Sequence, residues 1–360
     1  MAQGSGYVIM NHYEYFKAKG ANIDIYGPES YQIFKKVSWG NAYRITIGMF
    51  LLVLKRKINK YDLIELWGGE SWLVVWYLRT FYSGKIIIHK SNGIEEHVLE
   101  SFIKNPWETP AQKKWYHLNM GSLYKYAEKK ANLIVTVSSY DRDFAIAKRY
   151  KPASEILSIY PGMTDAFSGL SVSYERGKII GFCGSWIERK GIHLIQKDIY
   201  KVLKKDPLVK VIFIGTGNKL NKEIVFPGID EDRILIYPSI NDKKTLTELY
   251  KKMAIAFMPS YHESFGLVLA EAMACGCAVV TSNTGFAVDL IHKEHAYVMS
   301  EVKDGALAEG IIWLLDHPEE CIRIAENGYK KVQSLKWELS LQTLETRYNY
   351  LLMHKNNKAL

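Results

Sequence analysis

AIAFMPSYHESFGLVLAEAMACGCAVVTS, residues 254–282, decides the fold. The apolar run at 254–258 stops at Pro259 and Ser260, FGLVLAEAMACG (265–276) reads as a helix, and CAVVTS (277–282) is a second apolar run. Two short strands joined by a helix make a βαβ crossover, which requires parallel strands covered on both faces. The same rhythm continues outward on the amino-terminal side. KIIGFCG (178–184), VKVIFIGTG (209–217) and DRILIYPS (232–239) read as strands, with helices at 191–205 and 245–253 between them. Three more helical patterns follow, at 305–317, 318–335 and 337–355. Pro318 with Glu319 and Glu320 marks a helix start, since proline and acidic residues favour the first turn.

The first half repeats the theme. Strands are expected at ANIDIYGP (21–28), YDLIELWG (61–68), KIIIHKS (85–91), ANLIVTVS (131–138) and SEILSIYPG (154–162), and helices at 7–19, 43–58, 70–83, 121–130 and 139–150. A polar, glycine-bearing join at 161–177 separates the two α/β halves, and 360 residues suit two domains. Doubly wound sheets bind ligands at the carboxyl ends of their strands, so a cleft between the domains is the expected site. One oddity is the start. A doubly wound domain opens on a strand feeding a Gly-rich loop, whereas here MAQGSG leads straight into a helix. Gly4 and Gly6 supply a loop without its strand, so either the sheet edge is rebuilt from elsewhere or the chain is shortened.

The composition excludes disorder, collagen-like repeats and long coiled coils, with 48% hydrophobic and 24% charged residues. The longest apolar run, IGMFLLVL at 47–54, has eight residues, far below the roughly 20 of a membrane span. Four sparse cysteines point to a reducing compartment, and the expected location is cytoplasmic. The net charge of +9 is uneven: before residue 170 there are 22 basic and 15 acidic residues, and after it 25 and 23. The surplus gathers at Lys55–Arg56–Lys57 with Lys60, at Lys113 and Lys114, and at Lys125, Lys129 and Lys130, with Trp107, Trp115, Tyr116, Tyr124 and Tyr126 interleaved. No helix-turn-helix, zinc-finger or RNA-module pattern accompanies it, so nucleic acid is not the expected partner. An anionic membrane surface stays open, FLLVLKRK (50–57) setting an apolar face beside positive charge, as does a plain solvated lysine-rich face.

Three strand ends in the second half carry candidate chemistry. GSWIERKG (184–191) places backbone donors with Arg189 and Lys190 where a phosphate can sit, or else is a tight turn with two solvated cations. Its spacing is neither a Walker motif nor G-x-G-x-x-G. In PSYHESFGLVLAEAMACG (259–276), Glu263 stands at a strand end and Glu271 lies eight residues on, in apolar surroundings. A buried carboxylate needs a partner, here ligand hydroxyls or a basic side chain from another helix. TSNTGFAVDLI (281–291) reads as a third strand end opening a helix. Three anion-friendly openings on one sheet edge suit a nucleoside diphosphate. Cys275 and Cys277 lack a second pair, so no metal site is expected, and no G-x-S-x-G elbow is present.

Segment 178–340 resembles the donor-binding domain of the family 4 retaining glycosyltransferases. GSWIERKG is similar to their GR…KG loop, Glu263 to Glu271 to their E-x7-E motif, SNTGF to their glycine-rich loop, YPGMTDAF (160–167) to their inter-domain link, and ANLIVTVSSYDRD to the strand and helix before it. The resemblance implies an α/β GT-B fold of two facing Rossmann-like, doubly wound parallel-sheet domains. It implies an amino-terminal acceptor-side domain at 1–168, a nucleotide-sugar domain at 169–335, and a last helix, 336–360, packing back on the first domain. Carried over, Lys190 contacts the donor diphosphate, Glu263 holds hydroxyls of the transferred sugar and Glu271 takes the ribose hydroxyls. Gly184, Ser185, Arg189 and Ser264, with the backbone N–H groups of Phe265, Gly266 and Leu267, complete the donor site. Asn92 stands in KSNGIEEH (90–97) where the family has a catalytic histidine, with His89 or His97 as substitutes, and Ser185 replaces the arginine of GR. The implied activity is hexosyl transfer from a UDP- or GDP-sugar to an acceptor hydroxyl, without metal or other cofactor. The positive first half and FLLVLKRK (50–57) point to a lipid-linked or cell-envelope glycan as acceptor, with a soluble glycan, a polyphenol or a protein left open. Ser185 and Asn92 favour the alternative of a catalytically silent nucleotide-sugar-binding partner subunit; a GT-B epimerase is the other alternative.

Overall fold

Residues 5–31, 41–104 and 121–356 are described by the computed structural model. Gly4 and the basic-aromatic stretch Trp107–Tyr116, with Lys113 and Lys114, lie outside them. The chain divides into two units, one containing the described residues through Glu100, 121–161 and the helix from Trp337, the other containing Gly162–Lys336.

In the first unit, KIIIHKS becomes the fully buried strand β2 (Ile86–Ser91), flanked by β1 (Leu63–Trp67) and β3 (Leu133–Thr136), with β4 (Ile156–Ser158) beyond β3. All pairings are parallel. Successive β2 side chains point to opposite faces. Ile87 therefore packs with Val74, Val75 and Leu78 of the helix Trp72–Phe81 and with Ala127 of the helix Gly121–Lys130. Ile86 and Ile88 pack on the other face with Leu341, Leu344 and Tyr348 of the helix Trp337–Asn356. Tyr348 also stacks on Phe16 of the helix Ser5–Ala18, with ring centroids 5.5 Å apart.

Three expectations fail in this unit. Residues 21–27 form no strand: the Ile23/Ile25 alternation has no sheet edge to bury it, Ile25 is exposed, and Asp24 turns outward to Lys60 at 2.6 Å. Gly6 belongs to the helix Ser5–Ala18 rather than to a loop. The helix expected at 43–58 also stops at Leu54, where Lys55–Lys57 lead into a 3₁₀ turn.

The second unit holds six parallel strands: β5 (Ile179–Cys183), β6 (Lys210–Ile214), β7 (Ile234–Tyr237), β8 (Ile255–Met258), β9 (Ala278–Ser282) and β10 (Tyr297–Met299). Their order is β10-β9-β8-β5-β6-β7, so β5 lies between β6 and β8 and the winding reverses beside it. One core joins Phe182, Phe213 and Phe257 of the strands to Leu194, Ile195 and Ile199 of the helix Ile192–Lys205 and Ile311 of the helix Ala306–Asp316. The reversal falls at the carboxyl ends of β5 and β8, the switch point at which doubly wound sheets take ligands.

Candidate functional site

Both loops flanking the reversal are built so that they touch. After β5, Trp186 sinks into the core edge-on to Phe182 and Phe213 and pins the loop. A 3₁₀ turn, Glu188–Lys190, ends at Gly191 with φ 74°, and a Cβ there would lie 2.3 Å from the Pro259 carbonyl oxygen. Glycine is therefore what lets this loop run against the one that follows β8. The Tyr261 amide donates to the Arg189 carbonyl at 2.9 Å, and Arg189 Nη1 donates to the His262 carbonyl at 2.9 Å.

That seam brings three predicted residues together. Lys190 Nζ donates to Glu263 Oε1 at 2.5 Å, and Arg189 Nη1 lies 3.7 Å from Glu263 Oε2. Burial pushes the Glu263 carboxyl up, but Lys190, Arg189 and hydrogen bonds from Lys190 and Ser260 outweigh it, and the net shift is downward. Glu263 is thus an ionised, acceptor-only group held between two cations.

Glu271 is handled differently. It is 8% exposed, midway along the helix Leu267–Ala274, and accepts from Lys243 Nζ at 2.9 Å. Burial raises its carboxyl, and Lys243 only partly offsets this. Of the two partners open to Glu271 from the sequence, the structure supplies the basic side chain from another helix. Lys243 was not singled out by sequence reasoning. The available signal was its place in NDKKT, where Asp242 caps the helix Lys243–Lys252 by accepting from the Lys244 and Thr245 amides.

Gly266, with φ 87°, opens the helix Leu267–Ala274 without a capping side chain; the Leu269 amide turns back to the Gly266 carbonyl at 2.9 Å, and the amides of Leu267 and Val268 are left for an anion. Phe265 turns its ring inward onto Phe286, 5.5 Å between centroids, so only its backbone can face a ligand; Ser264 and Leu267 are half-buried beside it. Gly184 N–H is spent on the Ile214 carbonyl at 2.8 Å, and Ser185 is exposed. At the third strand end, TSNTGFAVDLI forms a five-residue 3₁₀ turn, Gly285–Asp289, instead of the expected helix. Phe286 and Ala287 are drawn into the core, the Phe286 amide donates to the Phe265 carbonyl at 2.8 Å, and Ser282 Oγ ties the turn to Ser260.

The first unit holds Asn92, exposed in the loop after β2. Neither imidazole considered as its substitute is free to move. His89 is fully buried, bonded through Nε2 to the Gly68 carbonyl at 3.1 Å, and burial lowers it to about 4. His97 Nδ1 meets Asp141 Oδ1 at 2.9 Å under the Phe144 ring. Sequence reasoning passed over the nearby carboxyls: burial lifts Glu95 to about 7 and raises Glu128 and Asp141. Among the described residues, no group of three or more His, Cys, Asp or Glu side chains is placed to hold a metal ion.

Across almost its whole length the chain superposes on a sucrose-phosphate synthase from Thermosynechococcus elongatus. The TM-score is 0.76 at 18% identity, covering 98% of this chain and 94% of that one. The fold is GT-B. Within this GT-B chain, residues 165–331 match the family model of the glycosyl transferases group 1. Among curated relatives, the capsular polysaccharide biosynthesis glycosyltransferase CapM of Staphylococcus aureus is 25% identical over 185 residues, 50% of this chain and 48% of that protein. The D-inositol 3-phosphate glycosyltransferase of Corynebacterium jeikeium is 28% identical over 232 residues, 60% of this chain and 54% of that protein. The GT-B chain is related to these glycosyltransferases, and its alignments span about half their length.

Proposed function

We propose that this chain is a retaining glycosyltransferase that moves a hexosyl group from a nucleoside-diphosphate sugar, a UDP- or GDP-sugar, to an acceptor hydroxyl. The observation that carries the reading is Glu263 held ionised by Lys190 and Arg189 at the switch point of the second sheet, one carboxylate and two cations side by side. Lys190 and Arg189 face the diphosphate together with the open amides at Gly266 and Leu267. Glu263 accepts hydrogen bonds from the hydroxyls of the transferred sugar, and Glu271 from the ribose.

In this reading the bond from the anomeric carbon to the β-phosphate oxygen breaks as the bond to the acceptor oxygen forms on the same face, so configuration is kept. The acceptor's proton passes to the departing phosphate oxygen. Fixed cations and amides stabilise the charge that gathers on the diphosphate, so no metal is required. The acceptor is a lipid-linked or cell-envelope glycan, met at the cytoplasmic face of an anionic membrane through the first unit. No described helix is long and apolar enough to cross a membrane.

Calorimetric titration with UDP-, GDP- and ADP-sugars, followed by analysis of the product anomer, tests the proposal. Saturable binding of one donor and a product of retained configuration is expected; no binding of any, or an inverted product, overturns it. The exposed Ser185, in place of an arginine, favours a second reading, a silent donor-binding subunit. Binding without turnover on any acceptor would select it.

A further inference from the structure

We propose that the helix Asn41–Leu54 of the first unit inserts into an anionic lipid surface, its apolar stripe among the acyl chains and Lys55, Arg56 and Lys57 at the headgroups. This deepens the membrane-facing reading above and rests on it.

A surface helix normally turns charge toward water. This one carries a single charged side chain, Arg44, in fourteen residues. Its outward line is instead Tyr43, Ile47, Leu51 and Leu54, at 39%, 45%, 42% and 47% exposure. Spacings of four, four and three residues keep these side chains on one face along about 16 Å of helix. The opposite face is occupied. Met49, Phe50 and Val53 pack on the core around Val74 and Leu78, and Phe50 meets Tyr77 edge-on at 5.6 Å. The stripe is therefore what remains after the helix has buried what its own unit can bury.

Charge selects the occupant. Much of the first half's positive surplus is neutralised in the fold: Lys125 pairs with Glu96, Lys148 with Glu100, Lys151 with Glu155, Lys60 with Asp24 and Lys90 with Glu65. Lys85 and Arg79 are spent on backbone carbonyls. Lys55 and Lys57 are exposed and enter no ion pair among the described residues, and Arg56 lies over the Tyr26 ring. Lys55 follows directly on Leu54 and Lys57 two residues later, so these two border the apolar stripe, whereas Lys130 and Arg149, also exposed without an ion pair among the described residues, belong to other elements. An amphipathic helix of this kind lies in the plane of the interface with its basic residues at headgroup level. A second copy fits less well. The stripe offers on the order of 300 Å² against the ~800 Å² per partner of a stable dimer.

Co-sedimentation of the full chain with vesicles of phosphatidylcholine, alone or mixed with phosphatidylglycerol, tests this. Pelleting with the mixed vesicles and little with phosphatidylcholine alone is expected. Lys55→Ala with Lys57→Ala should weaken binding about twenty-fivefold, each lysine near the surface being worth about fivefold. Ile47→Ser with Leu51→Ser should weaken it roughly tenfold or more and abolish the fraction that resists high salt. Circular dichroism and the melting midpoint of each variant check folding, the lysine pair being fully at the surface. Absence of pelleting with mixed vesicles overturns the proposal, as does serine substitution without effect, which would mean adsorption by charge alone. A dimer in solution that the serine variant dissolves would also overturn it. Donor binding measured in parallel separates the two claims. A chain that binds a nucleotide sugar yet ignores vesicles refutes the insertion alone, and one that pellets but binds no donor refutes the transferase reading alone.

Discussion

Lys243→Met removes the ammonium that faces Glu271 while keeping most of the stem beside the Phe167 ring. A hydrogen bond to a charged group contributes about 1.5–3 kcal/mol, and breaking a buried pair costs about 3–5 kcal/mol. Lys243 is 43% exposed along its side chain, so solvent screens the pair and about 1–2 kcal/mol is the expected loss. The loss depends on pH, and its sign follows from Glu271. Burial already holds that carboxyl above its ordinary 4.5, Lys243 pulling the other way. A carboxyl raised in the fold contributes stability that is fully present below its unfolded value and lost as pH rises through the folded one. Without Lys243 the folded value climbs further, so variant and parent diverge as pH rises. The other groups near the carboxyl do not mask this. Burial raises Tyr250 and Cys275, and Cys183 to about 11, so all three stay protonated across the range. The assay is urea unfolding at about pH 5 and about pH 8, followed by tryptophan fluorescence, with Trp186 reporting on the second unit. Most of the loss should appear at the higher pH and vanish when Glu271→Gln is added. An equal loss at both pH values, or a pH dependence that survives Glu271→Gln, refutes the reasoning.

Lys190→Met should lower turnover on the true donor and acceptor by about 10²–10³-fold, the effect of removing one fixed donor from a site of developing charge. It should also move the acidic limb of the pH–rate profile upward, because burial then acts on Glu263 with only Arg189 and the Ser260 hydrogen bond opposing it. Gly191→Ala meets both a φ of 74° and the Pro259 carbonyl oxygen at 2.3 Å. A loss of at least ~2 kcal/mol in urea unfolding is expected, with donor affinity falling alongside, since the seam that joins Lys190 to Glu263 has to part. Lys90→Met leaves Glu65, now paired at 3.0 Å, with the Tyr348 hydroxyl alone. It should destabilise the first unit by about 3 kcal/mol, and Glu65→Gln in the same chain should recover part of that.

What the sequence made legible, and what it hid, divides along the range of the interaction. Strands β5, β6, β8 and β9 are buried on both faces, so their apolar runs declare them without knowledge of their neighbours. β10 has only three residues and offers no run to read. Ile23 and Ile25 alternate as a strand would, yet alternation records only which side chains share a face, not whether a sheet edge stands beside them. The chemistry follows the same division. Glu263 and Lys190 announce themselves at strand ends, but their 2.5 Å bond exists because β5 pairs with β8 across more than seventy residues of chain. Lys243 reaches Glu271 through the same long-range order, and residue spacing could name the kind of partner but not which lysine it is. Lys90 is the sharpest instance. It sits inside an apolar strand where local reading expects only a snorkelling or outward side chain, and its burial is tolerated because Glu65 arrives from β1 and His12 from the first helix. Charge behaves likewise, since a surplus counted along the chain becomes a surface only where the fold leaves cations unpaired. In the first unit that leaves Lys55 and Lys57 among the unpaired cations, and sets them beside a helix that faces water with leucine and isoleucine.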